Sequence, residues 1–200
     1  VTGVQTCALP ISVFFDFGGS NTSPATNQDT TSLGPPNLRF KTADDATIDN
    51  QNPIPIPSGA AVNSFWKQIY LKVTGGTFTQ IDNVKFYTDA TPFGTGITTY
   101  VGDQMPTKNS GSDAGYVVAT GTVGTSGNAM VASHAGVSAQ TDAFSFDSSS
   151  PKSITISEAG SLMNATNETT DYLVCQMNVA STAGPGNLAD ETWTYQYDEI

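Results

Sequence analysis

The feature that most constrains the fold is a two-residue alternation of apolar and polar side chains, which recurs along the chain and is the period of a β-strand. The run from Phe65 to Val73 is the strongest example, with Ile69 and Leu71 on the same face as Phe65. No run of roughly ten residues or more has a helical period. The sequence therefore predicts an all-β fold, a single antiparallel β-sandwich with immunoglobulin-like or jelly-roll topology.

Two pairs of neighbouring runs predict antiparallel partners. Residues 65–73 are followed by a glycine turn and the alternating run 81–89, and residues 172–179 are joined to 192–198 by a loop rich in glycine. Such spacing favours pairing between runs that are adjacent in the chain. The second pair predicts a terminal hairpin with three aromatic rings on one face, namely Trp193, Tyr195 and Tyr197.

The first residues of the chain, Val1 to Ile11, resemble a translated short-read sequencing adapter, because that adapter's nucleotides encode this string. Segments of this kind are excluded from fold reasoning. The resemblance implies that the natural N-terminus is lost and that this segment has no consistent place in the core. Residues 12–200 are then expected to form one domain, with 12–58 as lead-in strands and a proline-rich connector and 59–200 as the main body.

The charge balance excludes several kinds of partner. Asp and Glu number 18 against 7 Lys and Arg, for a net charge of -11, and Arg39 is the lone arginine. A nucleic-acid partner requires a basic face, and an anionic membrane attracts the same positive charge. We therefore expect no nucleic-acid partner and no membrane partner.

The polar positions of the chain are filled mainly by Thr, Ser, Asn and Gly, which suit exposed strands. This composition favours a virion or extracellular location. Cys7 belongs to the adapter-like segment, so Cys175 has no partner for an intrachain disulfide. Its alternation with Leu173 and Met177 predicts a small buried hydrophobic residue rather than a nucleophile.

The sequence predicts that the protein is not an enzyme. His134 is the only histidine, and no Gly-x-Ser-x-Gly motif accompanies it, so we expect a loop residue rather than a catalytic base. A polysaccharide hydrolase is the alternative and requires two carboxylates flanking a bond. Seven candidates fall in predicted turns or strand ends: Asp44, Asp45, Asp49, Asp82, Asp89, Asp198 and Glu199.

No cofactor is predicted, although a structural calcium ion is a hypothesis for the segment from Asp44 to Asn50. This segment supplies oxygen ligands of the type that calcium prefers. It lacks the glycine and the final glutamate of an EF-hand loop.

Exposed aromatic rings are the usual platform for sugar binding and for protein interfaces. Trp66, Tyr70 and Tyr87 are the candidates for glycan or interface contacts. Alternation in a sandwich also sends one face of each strand into the core, which is the structural alternative for these rings.

The segments 65–73, 78–89 and 192–200 resemble uncharacterised virion-associated structural proteins from environmental phage contigs. The resemblance implies a non-catalytic structural protein of a virion or other extracellular assembly, whose partners are copies of itself or neighbouring shell proteins. Edge strands and the aromatic C-terminal hairpin would form the interface. A carbohydrate-binding or adhesin module, with a glycan as partner, is the alternative function.

Overall fold

The structure is a computed structural model that describes residues 11–28, 38–47, 49–103, 108–130, 137 and 140–200. Two single 3-10 turns lie at Ala143–Ser145 and Ala159–Ser161. The strands within the described residues are β1 Ile11–Ser20, β2 Ser23–Gln28, β3 Val62–Asn63, β4 Lys67–Val73, β5 Ile81–Tyr87, β6 Ile97–Asp103, β7 Gly121–Thr122, β8 Ser126–Gly127, β9 Thr141–Asp142, β10 Lys152–Ser153, β11 Leu173–Val179 and β12 Thr194–Glu199. No helix among these residues has the length and apolar composition needed to span a membrane.

The strands form two antiparallel sheets that curl into a half-barrel, which confirms the prediction of an all-β sandwich-like fold. The large sheet runs in the order β2-β1-β4-β11-β3-β8-β7, and β6 lies between β11 and β9. The small sheet has the order β10-β5-β12. In the large sheet, β11 is central because it pairs along its length with β6 and shares its other side between β4 and β3.

Both predicted neighbour pairings are wrong. The strand β4 pairs with β1 and β11, whereas β5 pairs with β10 and β12 in the other sheet. The predicted terminal hairpin is also divided, because β11 belongs to the large sheet and β12 to the small one. In each case the connection passes from one sheet to the other. The two strands therefore contact each other through side chains in the core and not through backbone hydrogen bonds.

The main core lies between the two sheets. Phe15, Leu71 and Leu173 from the large sheet pack with Ile81 and Phe86 from the small sheet, and all five are almost completely buried. The alternation of the sequence produces this layer, because one face of each strand is apolar. The three aromatic residues of β12 and its lead-in lie against the same core, as their shared face predicts: Trp193, Tyr195 and Tyr197.

The N-terminal strand is integral to the sandwich. Six register pairs join β1 to β4, so β1 is part of the large sheet. Ile11 is 8% exposed, lies opposite Val73 and belongs to the main core. The expectation that the adapter-like segment has no place in the core is therefore wrong at its last residue, and residues 1–10 lie outside the described residues.

A third layer covers the outer face of the large sheet. Segment 108–130 lies over this face, where Tyr116 and Met130 are buried against rings of β4 and its lead-in. Two buried glutamines anchor the segment with side-chain amides. Gln68 Nε2 donates to the Val117 carbonyl at 2.7 Å, and Gln176 Nε2 donates to the Asn128 carbonyl at 2.7 Å. The central strands β4 and β11 are thus buried on both faces along most of their length.

Phe65 departs from the predicted face. It packs with Trp66 in the outer layer, although alternation places it with Ile69 and Leu71. The chain leaves regular strand geometry between β3 and β4, where Ser64 Oγ accepts the Met177 N–H at 3.0 Å. Because this break shifts the phase of alternation by one residue, the ring turns to the other side of the sheet.

Candidate functional site

Two of the three predicted surface aromatics are buried. Trp66 is 1% exposed and its indole Nε1 donates to the Val117 carbonyl at 3.0 Å, while Tyr70 is 2% exposed. These two rings therefore do not offer an exposed face to a glycan or a protein partner, because segment 108–130 covers the face on which they lie. Tyr87 is half-buried on β5, in the other sheet, so the three candidates do not form one surface.

An open pocket of about 710 Å³ lies beside the buried tyrosine. Its wall is polar and combines the turn between β1 and β2 with the start of segment 108–130. The residues that line it are Asn21, Thr22, Thr26, Tyr70, Lys72, Lys108, Asn109, Ser110, Gly111, Ser112, Asp113, Ala114, Asn167 and Thr169.

A buried carboxylate lies beneath this pocket. The Asp16 side chain is fully buried, and its Oδ1 accepts hydrogen bonds from Thr26 Oγ1 at 2.6 Å and from the Tyr70 hydroxyl at 3.2 Å. Its Oδ2 accepts from the Tyr172 hydroxyl. Three hydroxyl donors replace the water that the carboxylate loses on burial, which is the condition for keeping a charge in a protein interior.

Lys108 supplies the compensating positive charge. Its Nζ lies 3.5 Å from Asp16 Oδ2 and donates to Asp113 Oδ1. The same Nζ lies 4.7 Å from the ring centre of Tyr70 and 5.3 Å from that of Tyr172. Two carboxylates and two aromatic faces thus surround one ammonium group, and each contributes attraction to the cation.

The tyrosine hydroxyls of this cluster donate hydrogen bonds to the groups around them. Burial raises the pKa of Tyr70 and that of Tyr172 well above the ordinary value, and the neighbouring Asp16 charge raises both further. Burial likewise raises the pKa of Tyr116, whose hydroxyl donates to the Gly18 carbonyl at 2.9 Å. The tyrosine hydroxyls therefore stay protonated at neutral pH. The hydrogen bond from Tyr116 to Gly18 holds segment 108–130 against β1.

Strand register explains how the cluster assembles. Asp16 lies opposite Thr26 on β2 and opposite Gln68 on β4, which puts its side chain on the outer face of the sheet. Asp16 was not predicted from the sequence as a site residue. The available signal was the single carboxylate inside the apolar run 13–17, since an unpaired charge there would be costly. The identity of its partner, Lys108, depended on tertiary structure.

The carboxylates proposed for calcium binding contact lysines instead. Lys41 Nζ lies 2.9 Å from Asp45 Oδ1 and 3.1 Å from Asp49 Oδ1, and Lys67 Nζ lies 3.0 Å from Asp44 Oδ1. A calcium ion would have to displace both lysines. Within the described ranges, no three His, Cys, Asp or Glu side chains converge in a group that could hold a metal ion.

Two further residues were predicted to be structural rather than catalytic, Cys175 as a small buried hydrophobic residue and His134 as a loop residue. Cys175 is completely buried in the main core, and burial raises the pKa of its thiol to about 12, as expected for a structural residue. His134 lies outside the described residues.

An open strand edge is the second candidate interaction surface. In the small sheet, β12 pairs with β5 on one side, and among the described residues no strand pairs with its other side. Just after β12, the Ile200 N–H donates to the Gln80 carbonyl at 3.0 Å, and Ile200 is 67% exposed. A row of backbone donors and acceptors next to an exposed apolar side chain can accept another strand.

Comparison of the chain with protein-family models, with curated proteins and with solved structures finds no match.

Proposed function

We propose that the protein is a non-catalytic structural component of a virion or other extracellular assembly, and that it acts by packing against copies of itself or neighbouring shell proteins. The observation that carries the proposal is the open edge of β12, which pairs with β5 on one side and with no described strand on the other. Both faces of the central strands β4 and β11 are covered, which leaves strand edges such as that of β12 as places where backbone groups are open to a partner.

The shape of β12 supports a defined contact rather than indefinite aggregation. A register shift lies between Gln196 and Asp198, and Asp198 lies opposite Asp82 on β5. Bulges and charges at a strand edge limit pairing with other chains. The N-terminal half of the strand, around Tyr195, is therefore the stretch that we assign to strand addition.

We expect the protein to self-associate when its concentration rises from micromolar to millimolar, and the double variant Thr194→Lys/Gln196→Lys to weaken this association at least about tenfold. Lysines on an edge strand carry charge into the contact and oppose strand addition. Analytical ultracentrifugation over this range gives the association constants. A wild-type protein that stays monomeric throughout would contradict the proposal.

The matched control is Ser58→Lys/Ala60→Lys, which adds the same charge at two exposed loop positions away from β12. We expect this control to associate like the wild type. If both double variants weaken association equally, net charge and not the β12 edge governs the equilibrium.

A second candidate function is the binding of a small hydroxyl-rich ligand such as a saccharide. The observation that favours it is the polar pocket of about 710 Å³, whose hydroxyl, amide and charged groups suit the hydroxyls of a sugar. This candidate no longer depends on Trp66 or Tyr70 as a stacking platform.

For this candidate we expect saturable binding of a saccharide with millimolar Kd, and a loss of about tenfold or more in affinity for Lys72→Met, because Lys72 lines the pocket. Calorimetric titration of a panel of simple sugars measures it. Lys85→Met, a half-buried strand lysine in the other sheet, is the control and should bind like the wild type. Equal losses in both variants, or no saturable binding, would exclude the pocket as a sugar site.

A further inference from the structure

A lysine and an aspartate are held together in the interior, between β4 and the loop of residues 38–47 (the 38–47 loop). Lys67 Nζ and Asp44 Oδ1 are 3.0 Å apart, and the exposed fractions of the two side chains are 1% and 10%. The carboxyl carbon is one bond from the contacted oxygen. An amine and a carboxyl group are thus held in contact where water has little access.

We propose that Lys67 and Asp44 condense into an intramolecular isopeptide bond that covalently links β4 to the 38–47 loop. The bond would be a structural modification of the folded chain, independent of the assembly function proposed above.

The surroundings favour the neutral amine that acts as the nucleophile. Lys67 Nζ lies 5.8 Å from the ring centre of Phe17, and its strand neighbour Cys175 is completely buried. In such a medium the charged form of Lys67 is poorly solvated. Burial also lowers the pKa of Lys67, which favours the free amine that acts as nucleophile.

The reaction balances without any other reagent. The ammonium first transfers a proton to Asp44 Oδ1, which leaves an amine and a carboxylic acid. The Nζ lone pair then forms a bond to Cγ, and negative charge develops on Oδ2. A second proton passes from Nζ to the Oδ1 hydroxyl, the Cγ–Oδ1 bond breaks, and one water leaves. Nothing is oxidised or reduced, and the net charge of the pair stays zero.

Backbone groups are placed to assist these steps. The Gly18 N–H donates to Asp44 Oδ2 at 2.8 Å, where the negative charge develops, and the Asp45 carbonyl accepts from Lys67 Nζ at 3.1 Å. Donors aimed at a developing oxyanion stabilise the transition state. Gly18 has φ +54° and its added Cβ would lie 3.3 Å from the Asp44 carbonyl oxygen, so a glycine is suited to this close approach.

The other lysine–aspartate contacts lack this combination. Asp45 and Asp49, which contact Lys41, have side chains that are 39% and 33% exposed, so water stabilises their charged forms. Asp16, near Lys108, accepts three hydroxyl hydrogen bonds that also stabilise its charge. The proposed bond is therefore specific to Lys67 and Asp44.

Mass spectrometry of the purified full chain tests the proposal. We expect the intact mass to be about 18 Da, one water, below that of the linear sequence. Trypsin cleaves after lysine, so the linear chain yields peptides 42–67 and 68–72. The linked chain instead yields one peptide, 42–72, lighter by one water, because an acylated lysine is not cleaved.

Two variants distinguish the bond from other dehydrations. Lys67→Met should restore the full linear mass, whereas Lys41→Met, which removes the neighbouring lysine whose carboxylate partners are partly exposed, should keep the loss of one water. The peptide map of the wild type is decisive even if Lys67→Met does not fold. An unchanged intact mass would overturn the proposal, as would a loss of water with cleavage after Lys67 retained, which indicates a cyclic imide.

Discussion

We expect Asp16→Ala to lower the free energy of unfolding by about 3–5 kcal/mol, the range found when one member of a buried ion pair is removed. The substitution leaves the hydroxyls of Tyr70, Tyr172 and Thr26 without their acceptor and Lys108 without its buried partner. Each loss adds to the destabilisation, because unsatisfied polar groups in an interior are costly. Denaturant unfolding monitored by tyrosine and tryptophan fluorescence measures the change.

The matched control is Asp113→Ala, which removes the more exposed carboxylate of the same lysine. The Asp113 side chain is 36% exposed, so we expect a loss of only about 0–1 kcal/mol. The double variant Asp16→Asn/Lys108→Met removes both buried charges and should recover part of the stability lost in Asp16→Ala. Equal effects of Asp16→Ala and Asp113→Ala would show that burial of the ion pair does not determine its contribution.

The second large effect is expected for Trp66→Ala, with a loss of about 3–5 kcal/mol, because a fully buried ring leaves a cavity in the outer layer. The ring packs with Phe65, Met130 and Val174. Trp66→Phe should cost less, since the Val117 carbonyl keeps the hydrogen bond from Gln68 Nε2 at 2.7 Å. Thermal or denaturant unfolding of the two variants gives the comparison.

Tyr87→Ala is the control for the third aromatic of the predicted set. Its ring is half-buried on β5, so we expect a smaller loss than for Trp66→Ala. If Trp66→Ala unfolds like the wild type, the ring does not support the outer layer, and the interpretation of Trp66 as a surface contact regains its basis.

Much of the strand content followed from local pattern. The runs that became β4, β5, β11 and β12 all alternate in sequence, and the rings of Trp193, Tyr195 and Tyr197 lie on one face as predicted. The face of Phe65 could not be predicted, because the break at Ser64 depends on hydrogen bonds with the distant residues Gln176 and Met177.

The pairing of strands was predicted poorly for a related reason. Turn signals favour neighbours in the chain, yet β4 and β5 lie in different sheets, as do β11 and β12. Pairing between distant strands depends on backbone register and on core complementarity across the sandwich. The two-residue alternation of a single run contains no information on either backbone register or core complementarity.

The open β12 edge that supports the proposed assembly function became visible only when β11 and β12 were seen in separate sheets. A C-terminal hairpin would have placed β11 along one side of β12, in the large sheet. The predicted interface therefore still includes the aromatic strand β12. The surface that β12 offers to a partner is its open edge and not one side of a hairpin with β11.

The sequence by itself determined the class of fold, the acidic charge and the burial of Cys175, because each depends on composition or on a local two-residue period. Only the tertiary structure decided that Trp66 and Tyr70 are internal and that Asp16 and Lys67 have charged partners. Alternation separates the two faces of a strand but does not specify what covers each face. In this protein segment 108–130 covers the face that a two-layer sandwich would leave to solvent.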